Sequence, residues 1–250
     1  MLEFRAPLPT DGRLRREGAL QAFSALPEAD RARARLVMGH TPYGLHELIP
    51  RPSTYVTMLR DPERLVVSLY HYIRRTPRHI LHDRVVADDL GLEAFVTSGL
   101  SLETDNSQLR AITGDTVTPF GGCDEAMLED AKRHLEERFS LAGLTERFDE
   151  SVVLLGRAFG WTRLYYLKAN VAPSRDRTRP SAEAIELIRT QNRLDIELYR
   201  WVADRLDERI AADPSFGEAL AALRRSVARY RPVGVLTEEL PRKAVARFRR

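Results

Sequence analysis

The chain is poor in the residues that staple a small protein, hold a metal or cross a membrane. Its 250 residues include one cysteine, which excludes an intrachain disulfide framework and a cysteine-based zinc site. No apolar run approaches the ~20 residues needed to span a bilayer, and the stretch from Met1 to Gly12 lacks a signal-peptide core. The histidines at 71, 79, 82 and 134 have no metal-ligand spacing and read as surface residues. There is no internal repeat and no low-complexity tract. These absences predict a soluble protein of a reducing compartment, cytoplasmic by default and without a bound metal.

Lysine is also scarce. It stands only at 132, 168 and 243, so 36 of the 39 basic residues are arginine. Two readings fit: the codon bias of a GC-rich genome, or the handling of oxyanions, which the planar guanidinium grips with two parallel bonds. The net charge is +3, but Arg224 to Arg250 carries nine basic residues against Glu238 and Glu239. Basicity is therefore local. Such a tail reads as a solvated terminus, or as a dock for an anionic glycan or a membrane surface. A nucleic-acid partner is not expected, because Pro232, Gly234 and Pro241 interrupt the tail and no recognition module accompanies it.

Apolar residues make up 43% of the chain, enough to bury the core of one large domain. Residues 1–18 read as an irregular lead-in, Gly18 to Arg35 as largely helical, and Leu36-Val37-Met38 as a short buried strand. Thr54 to Leu59 is β-branched and aromatic and is the best strand in the chain. A helix follows at once, with Asp61 as N-cap, Pro62 at the first helical position and an apolar stripe of Leu65, Leu69 and Ile73. Further helical segments are predicted over 91–99, 101–114 and 125–139. Ser140 to Leu144 then reads as a strand, Glu146 to Phe159 as a helix, and Tyr165-Tyr166 as part of a last strand. Ser181 opens a long helix to about Ile210. Strands alternating with helices predict an α/β fold, mostly parallel. We expect a main domain over 1–210 and a helical, basic extension over 211–250.

The segment that carries chemistry is Arg60-Asp61-Pro62-Glu63-Arg64-Leu65-Val66-Val67-Ser68-Leu69-Tyr70. A buried strand delivers Arg60 at its carboxyl end, where α/β sheets bind ligands. The helix that starts beside it offers unpaired backbone N–H groups, and Ser68 lies two turns in. An oxyanion site is one reading; an amphipathic helix with a salt-bridged Arg60 is the other.

This string resembles the 3′-phosphate-binding segment of the sulfotransferase superfamily, in particular the carbohydrate type that includes heparan sulfate 2-O-sulfotransferase and its bacterial relatives. Gly39-His40-Thr41-Pro42-Tyr43-Gly44 is similar to that family's Gly-His element. Asp105-Asn106-Ser107-Gln108-Leu109-Arg110 resembles its Asp-Asn…Leu-Arg element, Gly143-Leu144-Thr145-Glu146 its Gly-hydrophobic-Thr-Glu element, and Asn192…Asp195…Leu198-Tyr199 its last helix. The resemblance implies a P-loop-kinase-like, mostly parallel sheet flanked by helices. It also implies sulfuryl transfer from PAPS (3′-phosphoadenosine 5′-phosphosulfate) to a hydroxyl of a carbohydrate or other small acceptor. On that footing Arg60 and Ser68 would hold the 3′-phosphate. The basic residues Lys168, Arg175, Arg177 and Arg179 around the Asn170 loop have two readings, closure over the donor's phosphates, with Arg175 the chosen contact, or a solvated charged loop. His40 would be the base that takes the acceptor proton, a packed or capping histidine being the other reading, and Asn106 and Arg110 would contact the acceptor, although one turn apart they would serve equally as structural groups.

One family element is missing. Its first strand ends in a Lys-bearing, Gly/Ser/Thr-rich loop that cradles the 5′-phosphosulfate, whereas the first lysine here is Lys132. Three explanations stand: a chain lacking its first strand and phosphate loop, a degenerate member that binds an adenosine 3′,5′-bisphosphate-like ligand or an anionic glycan without catalysis, or an arginine-based loop. The first predicts exposed strand edges and an aggregation-prone chain.

Overall fold

A computed structural model describes residues 20–39, 41–167 and 179–230 in full, and the backbone of residues 2–5 and 231–234. Two parallel strand pairs carry the α/β character. β1 (Leu2–Arg5) pairs with β2 (Ala34–Met38), and β3 (Tyr55–Leu59) pairs with β4 (Phe139–Leu144). Among the described residues these pairs are separate sheets, not the single mostly parallel sheet expected, and the rest is mainly helix. The lead-in is also more ordered than its composition suggested: its first residues form β1, and α1 (20–24) and α2 (Glu28–Arg33) lie between β1 and β2.

The β3 connection follows the capping chemistry of its sequence. Leu59 ends the strand, Asp61 accepts a hydrogen bond on Oδ1 from the Arg64 N–H at 2.9 Å, and α3 (Pro62–Arg75) buries Val66, Tyr70 and Ile73. With α4 (His82–Ala87), α5 (Leu92–Thr97) and α9 (Ala182–Gln191), that face encloses a cluster containing Phe95 and Ile188. The larger core sits on β4. Leu141 and Leu144 are buried against α6 (Ser107–Thr113), α7 (Glu125–Arg138), α8 (Phe148–Phe159), α10 (Arg193–Ala211) and α11 (Phe216–Gly234), with Phe216 and Leu223 of α11 in the same cluster. No described helix is long and apolar enough to cross a membrane.

Three expected elements differ. The 101–114 helix is split, because Asn106 takes the left-handed conformation (φ 47°) between a short 3-10 turn and α6. The long C-terminal helix breaks at Asn192 (φ −115°, ψ 29°) into α9 and α10. Tyr165 and Tyr166 form no strand; Tyr166 packs edge-on against Phe148 and donates to the Asp149 carboxylate, while Tyr165 meets Tyr230. Helices α8 and α11 claim these rings before any ladder does.

Close packing at β4 depends on Gly143. A Cβ there would lie 2.6 Å from Met58 Sδ and 2.7 Å from Ser151 Cβ, and Ser151 is itself fixed by a hydrogen bond from the Leu144 N–H. Gly143→Ala should therefore cost about 1–3 kcal/mol, the usual penalty for overpacking. A urea midpoint equal to that of the parent would show that Met58 and α8 give way freely.

Candidate functional site

β3 and β4 run parallel with Leu59 opposite Leu144, so both strands release the chain at one edge. Arg60 and Asp61 leave β3 there, and Thr145 and Glu146 leave β4 beside them. The two exits are tied together. Thr145 Oγ1 donates to the Leu59 carbonyl (3.0 Å), Glu146 Oε2 accepts from the Asp61 N–H (3.2 Å), and Tyr199 O–H donates to the same Glu146 oxygen (3.1 Å). Burial and the adjacent Glu146 push the Tyr199 hydroxyl up to about 12, so it remains a donor at neutral pH.

Arg60 is held by its backbone and left free at its tip. Gln108 brackets it, accepting from the Arg60 N–H at 2.7 Å on Oε1 and donating from Nε2 to the Arg60 carbonyl at 2.9 Å. Arg60 as a residue is half-buried, and its guanidinium makes no ion pair or hydrogen bond among the described residues. Arg64, exposed, and Ser68, half-buried, lie one turn apart on the same face of α3 and are likewise unpartnered there. The helix end is less open than expected: Pro62 has no N–H, and the Arg64 and Leu65 N–H groups are taken by the Asp61 side chain and carbonyl. An anion at this edge would be gripped by arginine side chains rather than by the helix terminus.

The Asp-Asn…Leu-Arg element turns out to be framework. Asn106 Oδ1 accepts from the Leu194 and Asp195 N–H groups, capping α10, while Asp195 accepts from the Gln108 and Leu109 N–H groups, capping α6. Asn192 completes the lock, accepting the Asn106 N–H at 3.0 Å and donating to the Thr104 carbonyl. Arg110 is completely buried; its five N–H groups meet the Asp105 carbonyl and carboxylate, the Asp115 carboxylate, and the Thr118 and Pro119 carbonyls. Of the two readings of Asn106 and Arg110, acceptor contacts or structural groups, the geometry favours the second, since every donor of both side chains is spent inside the fold. The residue of this element nearest the candidate site is Gln108, which sequence reasoning passed over. Its signal was its place in the Asp105–Arg110 string, but its partner lies 48 residues away.

His40 and Arg175 lie outside the described residues, as do Lys168 and Arg177. The histidines read as surface groups are half-buried instead. His134 stacks on Tyr43 at 3.9 Å between ring centres, and His82 Nδ1 lies 2.9 Å from the Ile73 carbonyl. Among the described residues no group of three His, Cys, Asp or Glu side chains is placed to hold a metal ion.

A family model described as Galactose-3-O-sulfotransferase matches residues 32–239, a span that contains the whole of this edge. The chain belongs to the galactose-3-O-sulfotransferase family. Among curated relatives of this sulfotransferase family, mouse galactose-3-O-sulfotransferase 3 is 36% identical over 168 residues, covering 62% of this chain and 38% of the relative. Human galactosylceramide sulfotransferase is 31% identical over 171 residues, covering 61% and 37%. The chain spans about two fifths of the length of these proteins. The carbohydrate-sulfotransferase part of the expectation is borne out, and the family reached is the galactose-3-O type rather than the heparan sulfate 2-O type. The cytoplasmic expectation is overturned. It rested on a leader and anchor not being found in 250 residues, and the relatives, named for a sugar and a glycolipid, are more than twice as long as the stretch they share with it.

Proposed function

We propose that this chain carries the donor-binding edge of a PAPS-dependent sulfotransferase acting on a galactose-type hydroxyl. The Arg60 guanidinium, unpaired among the described residues and carried on a backbone clamped by Gln108, carries this reading. A guanidinium presents its N–H donors as a planar fork, and a phosphate oxygen pair supplies matching acceptors in that plane. Arg60 and Ser68 would receive the donor's 3′-phosphate, with Arg64 beside them. In the transfer, the bond between the sulfuryl group and the donor's 5′-phosphate breaks as the acceptor oxygen bonds to sulfur. The acceptor proton passes to a base, for which His40 is the proposed group, and adenosine 3′,5′-bisphosphate leaves. Such a step depends mainly on positioning and charge neutralisation. Arg175 is proposed as a further donor contact.

The test is a thermal-unfolding scan of the chain with adenosine 3′,5′-bisphosphate. At 100 times its dissociation constant the ligand adds about 2.7 kcal/mol, a rise of about 5–10 °C for a chain of this size. Arg60→Ala should erase most of that rise while leaving the unliganded transition in place. A parent protein that does not shift, or an Arg60→Ala protein that shifts equally, refutes the assignment. The second reading is a member that binds the donor product without turnover. Radiolabel transfer from PAPS to lactose separates the two, since the binder shows the thermal shift and no transfer.

A further inference from the structure

A recess lies at the end of α8 opposite the Thr145–Glu146 edge. It encloses about 1010 Å³ between α8, residues 160–165 and α11. Its wall is set by a helix stop. Gly160 adopts the left-handed conformation (φ 64°), the Trp161 N–H reaches back to the Gly156 carbonyl at 2.8 Å, and the Gly160 N–H reaches the Arg157 carbonyl at 3.4 Å. The chain then folds back so tightly that a Cβ on Gly156 would lie 2.6 Å from Leu164 Cδ1. Three rings are left at the rim: Trp161 and Tyr165, each 54% exposed, and Tyr230, 46% exposed. Trp161 stacks on Phe159 (5.5 Å, 26°) and Tyr165 leans on Tyr230 (5.5 Å, 37°), so the rings are braced with faces left to solvent.

The charge around this recess is one-sided. Arg157 is neutralised by Asp213, and Arg224 by Asp149. Arg163 lines the recess and is exposed with no ion pair or hydrogen bond among the described residues, and Arg229 sits over the Tyr230 ring at 6.0 Å. Exposed aromatic faces in a concave site suit the apolar C–H faces of sugar rings, and a free guanidinium beside them suits a sulfate or carboxylate. α8 begins at Phe148, beside the Thr145–Glu146 edge, and its 12 residues rise ~18 Å. The recess is therefore well removed from Arg60.

We infer that the Trp161–Tyr165–Tyr230 recess is a second, non-catalytic binding site for an anionic oligosaccharide. A concave pocket with an unpaired guanidinium at its rim favours a discrete glycan over a flat lipid surface, which would need a protruding apolar face. The test uses a fluorescently labelled heparin hexasaccharide and the full chain, read by anisotropy at about 150 mM salt, where loose electrostatic contacts are screened. Saturable binding is expected, with neutral maltohexaose failing to compete. Trp161→Ala and Arg163→Ala should each weaken binding by about tenfold or more, while Arg60→Ala leaves it unchanged and so separates this site from the donor edge. Trp161→Ala keeps every charge, so unchanged binding in that variant would assign the affinity to the basic tail and overturn the inference. Absence of binding, loss of binding in Arg60→Ala, or a response only to phosphatidylserine vesicles would overturn it as well.

Discussion

Arg110→Ala should cost about 3–5 kcal/mol, the penalty for breaking a buried ion pair from one side. Arg110 is fully buried, and its Nη2 lies 2.5 Å from Asp105 Oδ2 while Nη1 lies 2.9 Å from Asp115 Oδ2. Without it the Asp105 carboxylate keeps the Gly121 N–H and the Asn106 amide but loses its counter-charge inside the core. The Thr118 carbonyl loses its Arg110 donor, and the Pro119 carbonyl keeps only the Gly122 N–H. Against a total stability of about 5–15 kcal/mol, that is a large fraction of what holds the fold. Arg110→Lys should rescue little, because an ammonium offers three donors from a point where the guanidinium places five in a plane. Arg110→Met combined with Asp105→Asn should recover part of the loss, since the dominant cost is the stranded charge. Urea unfolding followed by circular dichroism decides it. A midpoint for Arg110→Ala within error of the parent would mean that the 115–121 turn opens to water at no cost.

The Arg110 network shows where reading the sequence stopped. The β3–α3 junction was legible because its instructions are local: a β-branched run, an Asp N-cap and a Pro at the first helical position all fall within Tyr55–Pro62, and the Asp61–Arg64 bond spans three residues. Asp105–Arg110 looked like chemistry because it is a polar string in a family-like position. Its roles are set by partners far along the chain: Asn106 caps a helix 88 residues later, and Gln108 holds a strand end 48 residues earlier. No periodicity reports such pairings. The same limit explains the sheet. Alternating elements predicted one parallel layer, whereas which strands pair is decided by the helices that cover them, here α7, α8 and α10 on β4. Arg60 and Ser68 were legible as candidates, but the observation that gives Arg60 weight, an unpaired guanidinium over a clamped backbone, exists only in three dimensions.

The other large effect belongs to Asp195. It is buried and accepts the Leu109 N–H at 2.7 Å and the Gln108 N–H at 3.1 Å. Asp195→Ala strands two N–H groups of α6 and should cost about 2–4 kcal/mol, each unsatisfied buried group contributing about 1–3. The damage should also reach the candidate site, because α6 carries the Gln108 amide that brackets Arg60. The variant should therefore bind adenosine 3′,5′-bisphosphate more weakly even below its unfolding transition, which a merely distant core mutation would not do. Burial raises the Asp195 carboxyl from 3.8 to about 6, against the pull of its N–H donors. A group whose folded-state affinity for protons exceeds its unfolded one stabilises the fold when protonated. Its contribution is present below about pH 4 and is lost as pH rises through about 6. Asp195→Asn cannot titrate, so the parent's advantage over it should widen by a kcal/mol or more between about pH 6.5 and 4. Denaturant midpoints at the two pH values measure that difference directly. If the gap instead stays constant or narrows, the two N–H bonds outweigh burial, and Asp195 is a permanently charged cap on α6.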